Sequence, residues 1–83
     1  METIARTSKQ LGAAIRRYRR QKNLTEAALG EQMHARQATV SKLENGEPAT
    51  ELRTLMDALA ALELELVIRL RTKVSAEEIE GLF

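Results

Sequence analysis

The stretch LTEAALGEQMHARQATVSKLENG, residues 24–46, most constrains what this chain can fold into, because it holds two short helices joined by a tight turn. Thr25 is placed to cap a helix running through Met33, and Leu24 and Leu29 fall at N′ and N4, the spacing of a hydrophobic staple. After a short turn around His34–Ala35, a further helix follows and is stopped by Asn45–Gly46. At about 100° per residue, that helix puts Val40 and Leu43 on one side. Gln37, Ala38, Ser41, Lys42 and Asn45 fall on the other. A solvated helix face is usually rich in Glu and Lys. This one offers an amide, a methyl, a hydroxyl and a cation.

The flanking sequence supplies two more helices. From Ser8, a suitable N-cap, a helix is predicted to about Lys22. Leu11, Ala14, Ile15 and Tyr18 form its apolar stripe. Arg16, Arg17 and Arg20 point away, Arg19 lies at the stripe's edge, and Asn23 suits the left-handed position that ends a helix. Beyond Pro48, Thr50 can cap a helix to about Leu62, with Leu52, Leu55, Met56 and Leu59 inward. Leu64, Leu66, Ile68 and Leu70 then alternate with Glu65, Val67, Arg69 and Arg71, a strand's period. Leu59, Leu62, Leu66 and Leu70 would alternatively continue a helical stripe. The longer alternation and its β-branched residues favour the strand. Residues 1–7 read as a flexible tail, 8–73 as one domain and 74–83 as a short C-terminal tail opening on a capping-box pattern, Ser75 and Glu78. The expected fold is therefore all-α, four main helices, with one C-terminal β-strand.

Composition removes several functions. With 83 residues there is one thin core, of a kind often helped by oligomerisation. Aromatics are 2% of the chain, too few for stacking on single-stranded nucleic acid. The absence of cysteine excludes disulfides and thiolate metal sites. No apolar run approaches the roughly 18 residues of a membrane span, so a cytoplasmic protein without a membrane role is expected. One His, one Asp and no Cys provide no nucleophile–base set, so neither an enzyme nor a cofactor or metal is expected. The net charge of +1 hides an asymmetry. Residues 1–42 hold nine Lys/Arg against three Glu, whereas 43–83 hold four against eight Glu and one Asp. A basic and an acidic half suit two partners of opposite character.

The polar face of residues 37–45 fits base edges in a DNA major groove. The amide of Gln37 can pair with adenine N6/N7, Lys42 can donate to guanine O6/N7, and Ala38 can meet a thymine methyl. Ser41 can bond base or phosphate. Small side chains let the helix backbone come close. Phosphate contacts are available from Arg16, Arg17, Arg20, Lys22 and Arg36, and from the free N–H groups opening the second helix.

On these residues the chain resembles the Xre/Cro–repressor class of helix-turn-helix proteins. Leu24, Thr25, Leu29, Thr39, Val40, Ser41, Leu43, Glu44, Asn45 and Gly46 match its usual pattern, and the likeness covers about residues 9–62. The resemblance implies that Gln37, Ala38, Ser41 and Lys42 face bases, and that Thr25 and Asn45 hold the DNA backbone. It also implies an ion pair between Arg19 of the first helix and Glu44 of the third. Four positions depart from the pattern. Glu26 replaces the usual Gln, which loses a phosphate donor and adds repulsion. Gly30 stands for Ala, Arg36 for a capping Ser, and His34 for a turn Gly at a position that often needs φ > 0.

A lone strand leaves its N–H and C=O groups unpaired. A second copy pairing strand to strand across a twofold axis resolves this, with Leu64, Leu66, Ile68 and Leu70 over the helices of both subunits. Such a homodimer would present two recognition helices about one DNA turn apart, matching an inverted-repeat operator. Helices followed by one dimerising strand and a tail, with QATVSKLEN followed by ALAALELELVIRL, resemble the HipB-like antitoxins and autorepressors of HipBA toxin–antitoxin modules. That resemblance implies a HipA-like serine/threonine kinase toxin as partner. The acidic half and the terminal Leu82–Phe83 are then candidates for facing it. The competing readings are an Xre-family regulator without a toxin, or a protein–protein adaptor that lost base reading, to which Glu26 lends support.

Overall fold

Helix boundaries follow the caps, each within a residue of the sequence pattern. The computed structural model describes residues 2–72, so the 74–83 tail, with Ser75, Glu78, Leu82 and Phe83, lies outside the described residues. Four helices succeed one another: α1 (Ser8–Gln21), α2 (Glu26–Met33), α3 (Gln37–Glu44) and α4 (Leu52–Ala61). The cap of α1 is Thr7 rather than Ser8. Thr7 is the extended residue (φ −137°, ψ 160°), and its Oγ1 accepts from the Gln10 N–H. Gln10 Oε1 in turn accepts from the Arg6 N–H at 2.7 Å, so one free donor of the first turn and the N–H just ahead of the cap are both satisfied. Thr25 caps α2 as expected, accepting from the Ala28 N–H at 3.0 Å. The expected cap of α4 shifts one residue the other way. Thr50 donates its N–H to the Glu47 carbonyl, and Glu51, still extended, becomes the cap without a side-chain bond.

All four helices stop by the same device. Asn23 (φ 57°), His34 (φ 56°), Gly46 (φ 77°) and Glu63 (φ 58°) are left-handed. In each case that residue and the next donate their N–H groups back to the helix's last turn, as in Leu24 to the Arg19 carbonyl and Leu64 to the Leu59 carbonyl. At Glu63 this ends α4, so Leu66 and Leu70 do not continue a helical stripe. Residues 64–72 carry neither helix nor a ladder partner among the described residues.

Around α2, which packs on both α3 and α4, the core gathers Ile15, Leu29, Met33, Val40, Leu43, Ala58 and Leu62. Leu52 and Met56 do not join it. They are 68% and 46% exposed, respectively. The stripe that α4 turns inward is Leu55, Ala58, Leu59 and Leu62, and Leu52 and Met56 form the adjacent i, i+4 row facing solvent. None of the helices among the described residues is long and apolar enough to cross a membrane.

The crossing of α1 over α3 depends on one glycine. A Cβ at Gly12 would stand 2.5 Å from the carbonyl oxygens of Leu43 and Glu44. Backbone cannot yield as a side chain can, so the two helices approach this closely only because the methyl is missing. Alanine is worth about 1 kcal/mol more than glycine in a helix, yet Gly12→Ala is expected to destabilise by roughly 1–3 kcal/mol through overpacking. Urea unfolding measures it, and a more stable variant would show that the crossing can relax. Gly30 is similarly confined. A Cβ there would meet the Ala35 carbonyl at 2.7 Å, so the alanine usual in the resembled pattern does not fit this turn.

Candidate nucleic-acid interface

Helix α3 is held by one face and free on the other. Val40, Leu43 and Glu44 are buried, while Gln37, Ala38 and Lys42 are exposed and Ser41 is half-buried. The four proposed readers therefore share the outer side, with Ser41 nearest its edge. None of the polar three has a side-chain hydrogen bond among the described residues, so their donors and acceptors stay free.

The registration of α3 comes from a buried ionic knot. Arg19 Nε donates to Glu44 Oε2 at 2.6 Å and Arg19 Nη2 to Glu44 Oε1 at 2.9 Å, a two-pronged pair. The Glu44 side chain is fully buried and that of Arg19 only 9% exposed. The remaining arm of the guanidinium, Nη1, donates to the Leu24 carbonyl at 2.8 Å. One side chain thus ties α1, the α1–α2 turn and the end of α3 together. The Glu44 hydrogen bond holds the Arg19 guanidinium above its ordinary pKa; burial opposes this, and the charges of Glu44 and Glu26 add to the rise. A raised cationic pKa gives stability that is complete below the unfolded value and lost only as pH climbs through the folded one. For an arginine that window lies far into alkali, so Arg19 is no switch near neutrality.

Arg16 is the participant that the pattern of residues did not single out. It points not away but across to α3, where Nε donates to Glu44 Oε1 at 3.3 Å and Nη2 to Asn45 Oδ1 at 2.9 Å. Its i, i+3 relation to Arg19 places both on one face of α1, which is the signal that could have found it.

The expected phosphate ligands frame α3 from three directions. Arg36 and Asn45 stand at its two ends, both exposed. Thr25 opens α2 with its hydroxyl oxygen engaged in capping. Arg17 and Arg20 lie on α1, lining a shallow open groove with Ala13, Arg16 and Gln21. Arg17 is not idle, for Nη2 donates to Thr3 Oγ1 at 2.7 Å and its guanidinium lies 5.4 Å from the Tyr18 ring centre. Thr3 Oγ1 also shares a 2.8 Å hydrogen bond with the Tyr18 hydroxyl. The residues before α1 make further contacts with the C-terminal segment, Glu2 to Arg69 and Arg6 to Thr72.

Of the four residues expected to form a dimer strand, Leu64 is half-buried against the chain's own core. Leu66 is exposed, and Ile68 and Leu70 are each 93% exposed.

The family model described as a helix-turn-helix domain matches residues 10–70. Among solved structures, a HipB–O2 20mer complex is 30% identical over 87% of this chain and 100% of that one, with a TM-score of 0.79. A HipB–O4 20mer complex is 28% identical over 86% of this chain and 100% of that one, with a TM-score of 0.80. A HipA–HipB–O2–O3 complex gives the same identity and coverage with a TM-score of 0.79. Comparison with curated proteins finds no match. With the family model spanning most of its length, the chain belongs to the helix-turn-helix family and is a HipB-like, Xre-type member of it.

Proposed function

We propose that the chain is a sequence-specific DNA-binding autorepressor of the HipB-like antitoxin kind, acting as a homodimer on an inverted-repeat operator. Helix α3 enters the major groove with Gln37, Ala38, Ser41 and Lys42 toward base edges. Arg17, Arg20, Thr25, Arg36 and Asn45 take phosphates. Leu64, Leu66, Ile68 and Leu70 pair with their counterparts across the twofold axis. The observation that carries this reading is the outer face of α3, where the side chains of Gln37, Ser41 and Lys42 have no hydrogen-bond partner among the described residues while the opposite face is buried. The HipB structures that the chain resembles are complexes with 20mers and, in one case, with HipA. A HipA-like serine/threonine kinase toxin is accordingly the proposed second partner, with the acidic half and Leu82–Phe83 as the surfaces that would meet it. The reading invokes no catalysis, cofactor or metal, and it assigns the protein to the cytoplasm.

The reader assignment has a direct test. Gln37→Ala is expected to cost roughly 1–3 kcal/mol per half-site, and only on the cognate operator. Loss of Arg17 or Arg20 is expected to weaken binding to every sequence and to flatten the salt dependence, because fewer counterions are released. Binding is compared on operator and scrambled DNA across a salt series. Equal losses of Gln37→Ala on both would turn the reading toward the second one, a protein–protein adaptor. That alternative draws on Glu26, a half-buried carboxylate where a phosphate donor would serve better.

A further inference from the structure

The C-terminal end of a helix is an awkward place to hold a phosphate. The C-terminus of α3 carries the negative pole of its dipole, and Glu44 adds a full negative charge there. Arg19 neutralises Glu44 and is itself buried. Arg16, whose side chain is 37% exposed, is the second cation on the same carboxylate, so the three charges sum to one positive. The excess resides at the surface, beside Asn45.

Arg16 also dictates how Asn45 faces. A guanidinium has only donors, so the Asn45 atom 2.9 Å from Arg16 Nη2 must be the amide oxygen. The Asn45 amide nitrogen, with its two N–H groups, is then turned away from Arg16. Neither N–H has a partner among the described residues, and Asn45 is exposed.

We propose that Arg16 is a positioning residue for DNA binding: it sets the Asn45 amide with both donors available to a backbone phosphate and supplies the positive charge that lets an anion approach the C-terminal end of α3. The inference rests on the reading of Asn45 as a phosphate ligand given above, and adds the group that orients it. Without Arg16, the amide turns freely and can present its oxygen to the phosphate. The local charge also falls to zero beside a negative helix pole.

Phosphate contacts are independent of sequence, so a labelled random-sequence duplex serves as probe, with the full chain in a salt series and thermal melting in parallel. Asn45→Ala and Arg16→Met are each expected to lose about tenfold in affinity per half-site, the scale of one hydrogen bond to a charged group. The double variant is expected to lose much less than the product of the two, because the donors that Arg16 orients are already gone. Arg16→Lys, which keeps a charge and a donor for Oδ1, should stay within about threefold of the parent. Asn45→Asp separates positioning from mere stability. A carboxylate facing Arg16 should melt at or above the parent temperature yet bind DNA more weakly, whereas a purely structural link would move both together. If Asn45→Ala binds like the parent, the phosphate reading of Asn45 fails and this inference with it. If Asn45→Ala weakens binding but Arg16→Met does not, or if the two losses multiply in full, positioning by Arg16 is overturned while Asn45 keeps its role. An Asn45→Asp variant that binds as well as the parent overturns the orientation of the amide even should Arg16→Met fail to fold.

Discussion

Glu44→Gln is expected to unfold in urea at a markedly lower midpoint than the parent chain, with about 3 kcal/mol or more of stability lost, and to lose DNA affinity at the same time. Removing one member of a buried ion pair leaves the other charged and uncompensated, at a cost of about 3–5 kcal/mol. The isosteric amide cannot stand in for the carboxylate. At the Oε1 position its oxygen can still accept from Arg16 Nε and Arg19 Nη2, but its N–H₂ group then faces the Arg19 Nε donor, and the flipped amide faces the other two. In a domain of this size the loss is a large fraction of the whole stability. The cause can be separated from the magnitude by changing Arg19→Met together with Glu44→Leu. With both buried charges gone, no buried cation is left uncompensated, and the lost stability should return except for what the Leu24 carbonyl loses with its Arg19 donor. Affinity for DNA should not return with it, because the net charge at the end of α3 is unchanged but its registration by the Arg19–Glu44 pair is gone and Arg16 has lost the carboxylate it meets. Unchanged melting of Glu44→Gln would mark the pair as superficial.

The paired change Leu66→Lys and Ile68→Lys is expected to convert the proposed dimer to a monomer in sedimentation at micromolar concentration. The two side chains lie in the segment after α4, and Ile68 has almost no cover within its own chain. In the proposed twofold arrangement both enter an apolar interface, where an unpaired ammonium is strongly disfavoured. The core of the protomer does not include either residue, so the helices should survive, and circular dichroism should keep its helical signature. Operator affinity falls steeply, because two linked half-sites gain an effective concentration worth about 10²–10⁴ that separate monomers lack. A variant that sediments as an unchanged dimer would move dimerisation onto the helices, where the exposed row of Leu52 and Met56 is the apolar surface at hand.

What could be read from the chain itself was whatever depends on neighbours in sequence. The stripe of Leu11, Ala14, Ile15 and Tyr18 faces the core as its spacing requires, Thr25 caps, and Asn23 and His34 take the left-handed turns expected of them. Caps at Thr7 and Glu51 rather than Ser8 and Thr50 differ by one residue, because either of two adjacent residues can stay extended. What depends on another element was hidden. The need for Gly12 arises from the carbonyls of Leu43 and Glu44, far along the chain. The inward place of Ala58 and the outward place of Leu52 and Met56 follow from how α4 is rolled against α2, which hydropathy alone leaves undetermined. Arg16 looked like one more surface cation, and only the α1–α3 crossing reveals the carboxylate and amide it meets.

The four left-handed helix stops bear on how the protein comes into being. Three of them stand in the short connections between the described helices, the longest of which is the stretch between Glu44 and Leu52. Helix α2 finds its partners in the two elements that follow it, so little loop closure precedes the first favourable contacts. Chains with such local topology reach their native state in about microseconds to milliseconds. Association, by contrast, waits for two chains to meet. For the proposed homodimer, the time needed to assemble two half-site readers is then governed by encounter between finished protomers rather than by the folding of either one.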